Sequence, residues 1–434
     1  MAAIDTIKRS RIAKLFYRFP RLVSAYHHLW AWFGAVANGY PSRKIFVIGV
    51  TGTKGKTTTL ELLNAMLEAA GRRTALLSSL RVKIGAASGK NNLGNTMPGR
   101  GYIQQFLKRA VEVKCAYALV EVASQGIISH RHEFIDWKAG VLTNLAPEHI
   151  ESHGSFENYR TAKLDFLKYV LARGGTVFLN RDDQHFIFFN KALESPKTVL
   201  YSKDDKELKN YFLKIESPHF ARRGSMPKFV LTDFNRENAA AAAAVAKTLG
   251  VDEAAIERAL ASFNGVPGRM EFITKGPYTA IVDYAHTPDS LEAAYAAARP
   301  KPNANYPDAR LVCVLGAAGG GRDKWKRSEF GRIAGALCDE IILTTEDPYD
   351  EDPAEIIREI KSGILPEDAE AVNVYEIPDR REAVKYAVTL ARPGDVVIGT
   401  GKGSEDWIHA ARGKKIPWSE RRAFEEALEE KEYN

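Results

Sequence analysis

The strongest chemical signal in the sequence is a glycine-rich loop between an apolar run and a helical pattern. Residues 45–50 are apolar and continue into Gly52-Thr-Lys-Gly55-Lys56-Thr57-Thr58. Backbone N–H groups of such a loop, at the start of a helix, bind polyphosphate. Lys56 is suited to the terminal phosphates and Thr57 to Mg²⁺. We therefore predict a nucleotide site at Gly52, Thr53, Lys54, Gly55, Lys56, Thr57 and Thr58, although Val50 stands where a full P-loop motif has its first glycine.

Further polar residues follow two other apolar runs. Glu121 ends a run that starts at residue 118, and a buried carboxylate is costly unless it meets a cation, which predicts a metal beside it. The run 140–143 is followed by His149 and then by a helical pattern over 156–171 that contains Lys163. Taken alone, His149 and Lys163 are ordinary polar residues.

Short β-rich runs alternate with helical patterns from Lys44 onward, which is typical of parallel sheets covered by helices. A turn over residues 265–269 follows two helical patterns, over 238–249 and 252–263, and separates two series of strands. We expect an α/β protein with a short helical N-terminal segment (1–43), a P-loop-type central ATPase domain (44–268) and a C-terminal Rossmann-like domain (269–434). The predicted strands are 45–50, 75–78, 118–122, 140–143, 176–179, 279–283, 310–315, 340–344, 373–375 and 395–398.

The charge and cysteine content exclude several classes of protein. The chain has 434 residues and a net charge of +7, but residues 6–60 contain ten basic residues and no acid. The remainder is nearly neutral, which argues against nucleic-acid binding. Three widely spaced cysteines, Cys115, Cys313 and Cys338, argue against a disulfide framework and a Cys-based zinc site, so we expect a cytoplasmic protein.

The N-terminal segment combines apolar and basic residues. Ile12, Leu15, Phe16 and Phe19 share one side of a predicted helix that Pro20 interrupts, with basic residues on another side. The apolar run 29–37 is too short to cross a bilayer, and no signal-peptide pattern is present. Two interpretations remain open: the segment lies on the inner face of an anionic membrane, or its apolar face packs on the next domain or on a partner.

Several separate motifs resemble those of the Mur ligases, most closely the MurE branch, over about residues 44–420. The motifs are Thr51-Gly-Thr-Lys-Gly-Lys-Thr57, Glu121-Val-Ala-Ser-Gln125, Thr143-Asn-Leu-Ala-Pro-Glu-His149, Pro267-Gly-Arg-Met-Glu271, Val282-Asp-Tyr-Ala-His-Thr-Pro288, Gly320-Gly-Arg-Asp-Lys-Trp-Lys-Arg327 and Gly401-Lys-Gly-Ser-Glu405. The resemblance implies an ATP-dependent ligase that joins an amino acid, expected to be a diamino acid, to a muramoyl-L-Ala-D-Glu cell-wall precursor through an acyl phosphate.

The same resemblance assigns expected roles to individual residues. Lys56 would neutralise the transferred phosphate, and Mg²⁺ would be held by Thr57, Glu121, His149 and a carbamylated Lys163. Asn235, Asn238, Arg269 and Asp283 match ATP-side positions. Thr96 and Arg131 match residues that hold the acceptor, whereas Arg322, Gly401 and Glu405 match residues that hold the incoming amino acid.

Some positions depart from the family pattern. Diaminopimelate-type enzymes carry Asp-Asn-Pro-Arg where this sequence reads Glu346-Asp347-Pro348-Tyr349, and the missing Arg removes a bidentate carboxylate clamp. Family members also carry a UDP-binding domain of about 100 residues before the ATP loop, whereas 43 residues precede Lys44 here. The acceptor could therefore be held by its sugar-peptide end, be lipid-linked or non-murein, or require a partner subunit. A folylpolyglutamate-synthase-like enzyme, a non-catalytic scaffold and a P-loop motor or kinase are the other readings, and the motifs disfavour them.

Overall fold

The structure is a computed structural model that describes residues 19–93, 95–148, 153–215, 232–301, 304–321, 323–365 and 372–433. Two compact units meet in the sequence at Phe263 and Asn264. The predicted basic helix around Ile12 and Leu15 lies outside the described residues, as do His149 and Arg322.

The first unit contains an eight-stranded sheet in the order β4-β3-β2-β5-β1-β6-β7-β8. The hairpin neighbours β2, β3 and β4 pair antiparallel, and all other neighbours pair parallel. The strands are β1 (Phe46–Thr51), β2 (Thr74–Leu77), β3 (Arg81–Ile84), β4 (Ala87–Lys90), β5 (Tyr117–Glu121), β6 (Trp137–Leu142), β7 (Thr176–Asn180) and β8 (Thr198–Tyr201). The helices are α1 (Pro20–Ala37), α2 (Lys56–Ala69), α3 (Arg100–Glu112), α4 (Ser124–Ile128), α5 (Phe156–Ala172), α6 (Phe186–Ala192), α7 (Lys206–Ile215), α8 (Asp233–Thr248) and α9 (Glu253–Ser262).

Helices cover both faces of this sheet, which is why its central strands are almost uniformly apolar. Helices α2, α8 and α9 form one core with the sheet, and α3 and α5 form the other. On the second face the Trp137 and Phe166 rings meet edge to face with centroids 5.2 Å apart. This contact fixes α5 against β6 and so sets the position of Lys163, one helical turn before Phe166.

The second unit contains a six-stranded sheet in the order β13-β12-β11-β14-β10-β9, in which only the pairing of β9 with β10 is antiparallel. Its strands are β9 (Glu271–Lys275), β10 (Tyr278–Val282), β11 (Leu311–Leu315), β12 (Glu340–Leu343), β13 (Asn373–Glu376) and β14 (Val396–Gly399), with a small hairpin of β15 (Trp407–His409) and β16 (Lys415–Pro417). The helices are α10 (Pro288–Ala298), α11 (Trp325–Leu337), α12 (Pro353–Lys361), α13 (Arg380–Leu390) and α14 (Glu420–Tyr433). The α/β class and the ten predicted strands are confirmed.

Helix α1 begins at Pro20, which suits the first helical position because its missing N–H needs no partner there. Ala31 and Ala35 are buried, and α1 packs against α3. A second side of α1 leaves large apolar side chains exposed: Leu22, Tyr26, Leu29, Trp30, Trp32, Phe33 and Val36. In the part of the chain that the structure describes, no helix is long and apolar enough to cross a membrane.

One expectation from the cysteine content is wrong. Cys313 and Cys338 form a disulfide, whereas Cys115 is a buried free thiol. The 25-residue spacing gave no sign of this pairing. It arises because β11, α11 and β12 form one strand–helix–strand unit, and the end of α11 returns the chain to β11 with the two Cα atoms 6.2 Å apart.

Candidate active site

The predicted phosphate loop lies between β1 and α2, and its backbone approaches other elements closely. Gly52 and Gly55 have φ of 150° and 78°, and a Cβ atom would lie 1.9 Å from Thr143 Oγ1 and 2.0 Å from Asn238 Oδ1, respectively. Only glycine suits both positions. The Lys54 N–H donates to Asn144 Oδ1 at 2.9 Å, and Thr143 Oγ1 donates to the Lys54 carbonyl at 2.6 Å. The segment after β6 therefore braces the loop.

Glu121 lies at the end of β5 and is surrounded by neutral donors. Its Oε2 atom accepts hydrogen bonds from Thr57 Oγ1 at 2.9 Å, from the Ser79 N–H at 2.8 Å and from Ser79 Oγ at 3.0 Å. The structure thus brings together the predicted pair Thr57 and Glu121. Ser79 was missed, because it comes from the loop after β2 and no motif marks it. Carboxylate and hydroxyl oxygens are ligands that Mg²⁺ accepts, so the side chains present fit that ion.

Two lysines meet at the phosphate loop. Lys56 Nζ donates to the carbonyls of Gly52 and Thr53 at 3.0 and 2.8 Å, and Lys163 Nζ donates to the Gly52 carbonyl at 2.8 Å. Lys163 is 1% exposed and lies over the Tyr159 ring. Burial, reinforced by the charge of Lys56, lowers the pKa of Lys163 well below the ordinary lysine value, and Glu148 only partly opposes this.

Other predicted residues of the first unit lie at two places. Asn235 and Asn238 are buried in the first turns of α8, and Asn238 Oδ1 accepts a hydrogen bond from Thr59 Oγ1 at 3.4 Å. Asn238 therefore joins α8 to the helix that follows the phosphate loop. Arg131 donates through Nη1 to the Met97 carbonyl, which brings it close to the segment that contains Thr96.

In the second unit, Arg269 and Asp283 flank the start of the sheet. The Asp283 carboxylate accepts from the N–H groups of Met270 and Ala285 at 2.7 and 2.8 Å, and burial raises its pKa. The Arg269 guanidinium lies 4.1 Å from the centre of the Tyr284 ring. Tyr284 in turn donates to Glu405 Oε1 at 3.1 Å, so this group is continuous with the predicted amino-acid-binding residues.

A buried lysine organises those residues. Lys402 Nζ lies 2.9 Å from Asp347 Oδ1 and 2.6 Å from Glu405 Oε2, and its side chain is 0% exposed. Burial disfavours its charge, but Glu405 and Asp347 outweigh that effect and raise the pKa of Lys402. Glu346 is buried, its pKa is raised by burial, and Gly401 packs directly against its carboxylate. Lys402 was missed as a site residue, although it stands inside the quoted Gly401–Glu405 motif.

Two residues remain of the segment 346–349, which departs from the family pattern. Pro348 is buried, and Tyr349 is partly exposed with φ of 51°. The Tyr349 ring stacks on the His409 imidazole, with centroids 5.3 Å apart and an angle of 13° between the ring planes. The backbone N–H of Tyr349 donates to the His409 carbonyl at 2.9 Å. The hairpin β15–β16 therefore holds Tyr349 in place.

Two family models match this chain. The model of the Mur ligase middle domain matches residues 50–246, and that of the Mur ligase glutamate ligase domain matches residues 268–403. The UDP-N-acetylmuramoyl-L-alanyl-D-glutamate–2,6-diaminopimelate ligase of Syntrophomonas wolfei is 35% identical over 90% of this chain and 79% of its own length. The UDP-N-acetylmuramyl-tripeptide synthetase of Deinococcus radiodurans is 34% identical over 89% and 78%.

A solved structure of a UDP-N-acetylmuramoyl-L-alanyl-D-glutamate–2,6-diaminopimelate ligase aligns with a TM-score of 0.58 and 26% identity, and covers 90% of this chain and 79% of that one. A phosphate-loop domain followed by a second α/β domain, with these matches, defines an ATP-dependent ligase. The chain belongs to the Mur ligase family.

Proposed function

We propose that this ligase adds an amino acid to a muramoyl-L-Ala-D-Glu acceptor, as the names of its relatives describe for those proteins. In this reaction the γ-phosphate of ATP passes to the acceptor carboxylate, and an amine then displaces phosphate from the acyl phosphate to form the amide. The observation that supports this most directly is the meeting of Lys56 and the buried Lys163 at the Gly52 carbonyl. Nucleotide binding by such a loop requires Lys56 but not Lys163, so the second lysine indicates a further task.

The side chains of the first unit divide the work between phosphate and metal. Lys56 would leave the loop carbonyls and neutralise the transferred phosphate, which carries most of the charge that develops during transfer. Thr57 and Glu121 would hold Mg²⁺, with His149 as a further ligand. The bound ion would supply positive charge that stabilises the phosphate oxygens. Ser79 would orient the Glu121 carboxylate, because it donates twice to the same oxygen.

Lys163 would act as a carbamate. Its lowered pKa leaves a neutral amine whose nitrogen can attack carbon dioxide, forming an N–C bond and releasing one proton to water. The product is an anion, whereas an ordinary lysine side chain carries a positive charge. This change explains why a lysine stands near proposed metal ligands, where a cation would repel Mg²⁺.

Residues of the second unit would bind the incoming amino acid. Arg269 and Asp283 are proposed to meet ATP, and Thr96 and Arg131 of the first unit to hold the acceptor. Glu405 would contact the ammonium of the incoming amino acid and Arg322 its carboxylate. Tyr349 stands where an arginine clamp would select a second carboxylate, so lysine, ornithine and diaminopimelate are all candidates.

The direct test is phosphate release from ATP and Mg²⁺ with UDP-N-acetylmuramoyl-L-alanyl-D-glutamate and a set of single amino acids, with product masses recorded. Turnover with one amino acid, and a product heavier by that residue, is the expected result. Bound ATP without phosphate release for any amino acid would contradict a UDP-linked acceptor. The same assay with a lipid-linked muramoyl dipeptide then separates a different carrier from a different reaction.

A lipid-linked acceptor is the second candidate, and the exposed side of α1 favours it. Tyr26, Trp30, Trp32 and Phe33 are each 44–55% exposed there. The amphipathic rings of Trp and Tyr prefer the membrane interface, and Phe is typical of the apolar face of a helix that lies in it. Five basic residues precede α1 in the acid-free part of the sequence and complement an anionic surface: Lys8, Arg9, Arg11, Lys14 and Arg18. We propose that this side of α1 rests on an anionic membrane.

Sedimentation with phosphatidylglycerol vesicles, and with phosphatidylcholine vesicles as the neutral control, tests the membrane contact. The double variant Trp30→Ser/Phe33→Ser should lose at least about tenfold in vesicle affinity. Each substitution removes a ring whose full burial in the membrane would contribute about 1.5–3 kcal/mol. Trp325→Ser, which changes an exposed ring in the other unit, should bind like the parent. Absence of binding to anionic vesicles, or self-association through α1 in its place, would contradict the proposal.

A further inference from the structure

Three side chains that the proposed reaction does not use meet between α1 and the turn after α4. His28 Nδ1 lies 2.5 Å from Glu133 Oε2, and His130 Nδ1 lies 2.8 Å from Glu133 Oε1. The candidate ligand atoms of His28, His130 and Glu133 all lie within 4.8 Å of one another. His28 and Glu133 are 105 positions apart in the sequence, so the fold alone brings this group together.

The chemistry of the donor set suits a borderline divalent ion. Two imidazole nitrogens and one carboxylate make up a known three-ligand zinc set that leaves a fourth position open. Hard ions such as Mg²⁺ and Ca²⁺ prefer oxygen donors only, whereas imidazole suits zinc, copper and nickel. The nitrogen–oxygen separations of 2.5 and 2.8 Å would widen to about 3.3 Å around a tetrahedral ion with bonds of about 2.0–2.1 Å.

A hydrogen bond on the far side of the His130 ring supports the set independently. Ser24 Oγ lies 2.8 Å from His130 Nε2, the ring nitrogen opposite the one that faces Glu133. Metal-binding histidines characteristically donate their other N–H to such an acceptor, which fixes both tautomer and ring orientation. The Phe134 ring meets the His28 ring with centroids 5.0 Å apart, so this second imidazole is oriented as well.

The surroundings leave room for an ion and its fourth ligand. An open cavity of about 680 Å³ is lined by Arg21, Ser24, Ala25, His28, Leu29 and His130. His130 has φ of 54°, a conformation that costs energy for a residue other than glycine and that tends to occur where function requires it. The His28 side chain is 50% exposed, so an ion can enter from solvent.

We propose that His28, His130 and Glu133 form a Zn²⁺ site that fastens helix α1 to the body of the first unit. The ion takes one nitrogen from each imidazole and one or both carboxylate oxygens, and water from the cavity occupies the open position. Because one ligand comes from α1 and two come from the turn after α4, the bound state requires α1 to be docked. Metal binding therefore stabilises the docked helix.

Cobalt(II) is the probe for this site, since it replaces zinc and absorbs visible light strongly when fewer than six ligands surround it. Titration of the metal-free full chain with Co²⁺ should give one equivalent of absorbing complex, which Zn²⁺ then displaces. His28→Ala and Glu133→Gln should each weaken binding by at least about 100-fold, and Ser24→Ala by about 10- to 100-fold. His27→Gln, which removes the neighbouring histidine of α1, should leave the spectrum unchanged.

Two results would overturn the proposal. One is a parent chain with no absorbing complex or with binding weaker than millimolar, which would leave Glu133 as a plain hydrogen-bond acceptor for two imidazoles. The other is a spectrum that survives both His28→Ala and Glu133→Gln. His28 is exposed, so His28→Ala is expected to fold, and far-ultraviolet circular dichroism checks this.

Hydrogen exchange of α1 gives a readout that does not depend on ligase activity. At a free Zn²⁺ concentration about 100 times the dissociation constant, opening of a helix that must be docked to bind should fall by about 100-fold. Adding Zn²⁺ should therefore slow hydrogen exchange of amides 21–37 in the parent. It should leave their exchange rates unchanged in His28→Ala. Equal exchange with and without Zn²⁺ in the parent would show that the ion, if bound, does not fasten the helix.

Discussion

Two fully buried lysines, one in each unit, have opposite electrostatic environments. Lys163 of the first unit is 1% exposed and donates to a backbone carbonyl, and its pKa is lowered by burial and by Lys56. Lys402 of the second unit is 0% exposed, but it contacts two carboxylates that overcome burial and raise its pKa. Burial alone therefore does not determine the charge of a lysine; its partners do.

Lys163 is therefore suited to react, whereas Lys402 is suited to a structural role. A buried amine that is neutral can be modified or can act as a nucleophile, whereas a lysine held between Asp347 and Glu405 stays an ammonium. In the first unit, uncharged donors surround Glu121, so the site gains most when a cation arrives. In the second unit the charges already compensate one another, so the ammonium that we propose for Glu405 would compete with Lys402 for that carboxylate.

The largest expected effect is on turnover, from the substitution Lys163→Ala. Without the proposed carbamate the phosphates lose a preorganised ligand environment, and we expect kcat to fall by about 100- to 1000-fold. A short carboxylic acid added to the assay should restore part of the activity by replacing the lost anion. Lys168→Ala, on the exposed side of the same helix, is the control. Unchanged turnover in Lys163→Ala would contradict the role proposed for this residue.

The next effect is on stability, from Lys402→Met. Removing the ammonium leaves Asp347 buried and Glu405 partly buried without their cation, and breaking a buried pair in this way costs about 3 kcal/mol or more. Urea unfolding, followed by a signal from the second unit, should show this loss in the free energy of unfolding. Adding Asp347→Asn should recover part of it, and Lys414→Met at an exposed position should cost little. Equal stability of Lys402→Met and the parent would show that the pair contributes nothing net.

The two lysines should also respond differently to pH. Because the folded-state pKa of Lys163 lies below 10.5, the unfolded chain binds more protons between those two values, and stability rises with pH across that window. In CO₂-free buffer, the unfolding free energy of the parent relative to Lys163→Met should rise by up to about 1.4 kcal/mol per pH unit. The contribution of Lys402 should stay constant below its unfolded pKa and be lost only as pH rises through the raised folded pKa. A flat difference for Lys163 would contradict its lowered pKa.

Most of the fold could be predicted because its central strands are buried on both faces. Strands such as β1, β5 and β11 are nearly continuous apolar runs for that reason, and their bounds were predicted to within about two residues. The hairpin strand β4 was missed because all four of its residues are exposed and none marks a core face. The disulfide was missed because its two cysteines meet only through the strand–helix–strand path.

The site was predicted where a motif coincides with the end of a strand. Thr57 and Glu121 follow apolar runs and could be anticipated from the cost of a buried carboxylate. Ser79 could not, because it reaches Glu121 through the fold across 42 positions. Lys402 lies within a recognised motif, but the sequence predicts no role for it, because lysines are rarely fully buried unless paired and the sequence does not show the pairing.

The smallest expected effect concerns which amino acid is joined. It comes from adding one positive charge to the second unit, where the buried charges of Lys402, Asp347 and Glu405 already compensate one another. Tyr349→Arg keeps a planar group that can stack on His409, and adds a guanidinium that can bind a second carboxylate through two hydrogen bonds. The ratio of kcat/KM for diaminopimelate over lysine should therefore rise by about tenfold, which corresponds to about 1.4 kcal/mol. Tyr349→Phe retains the stacked ring without new charge and should leave that ratio unchanged. If both variants shift the ratio equally, the ring packing and not the charge at position 349 sets the preference, and selection must lie with Glu405 and its neighbours.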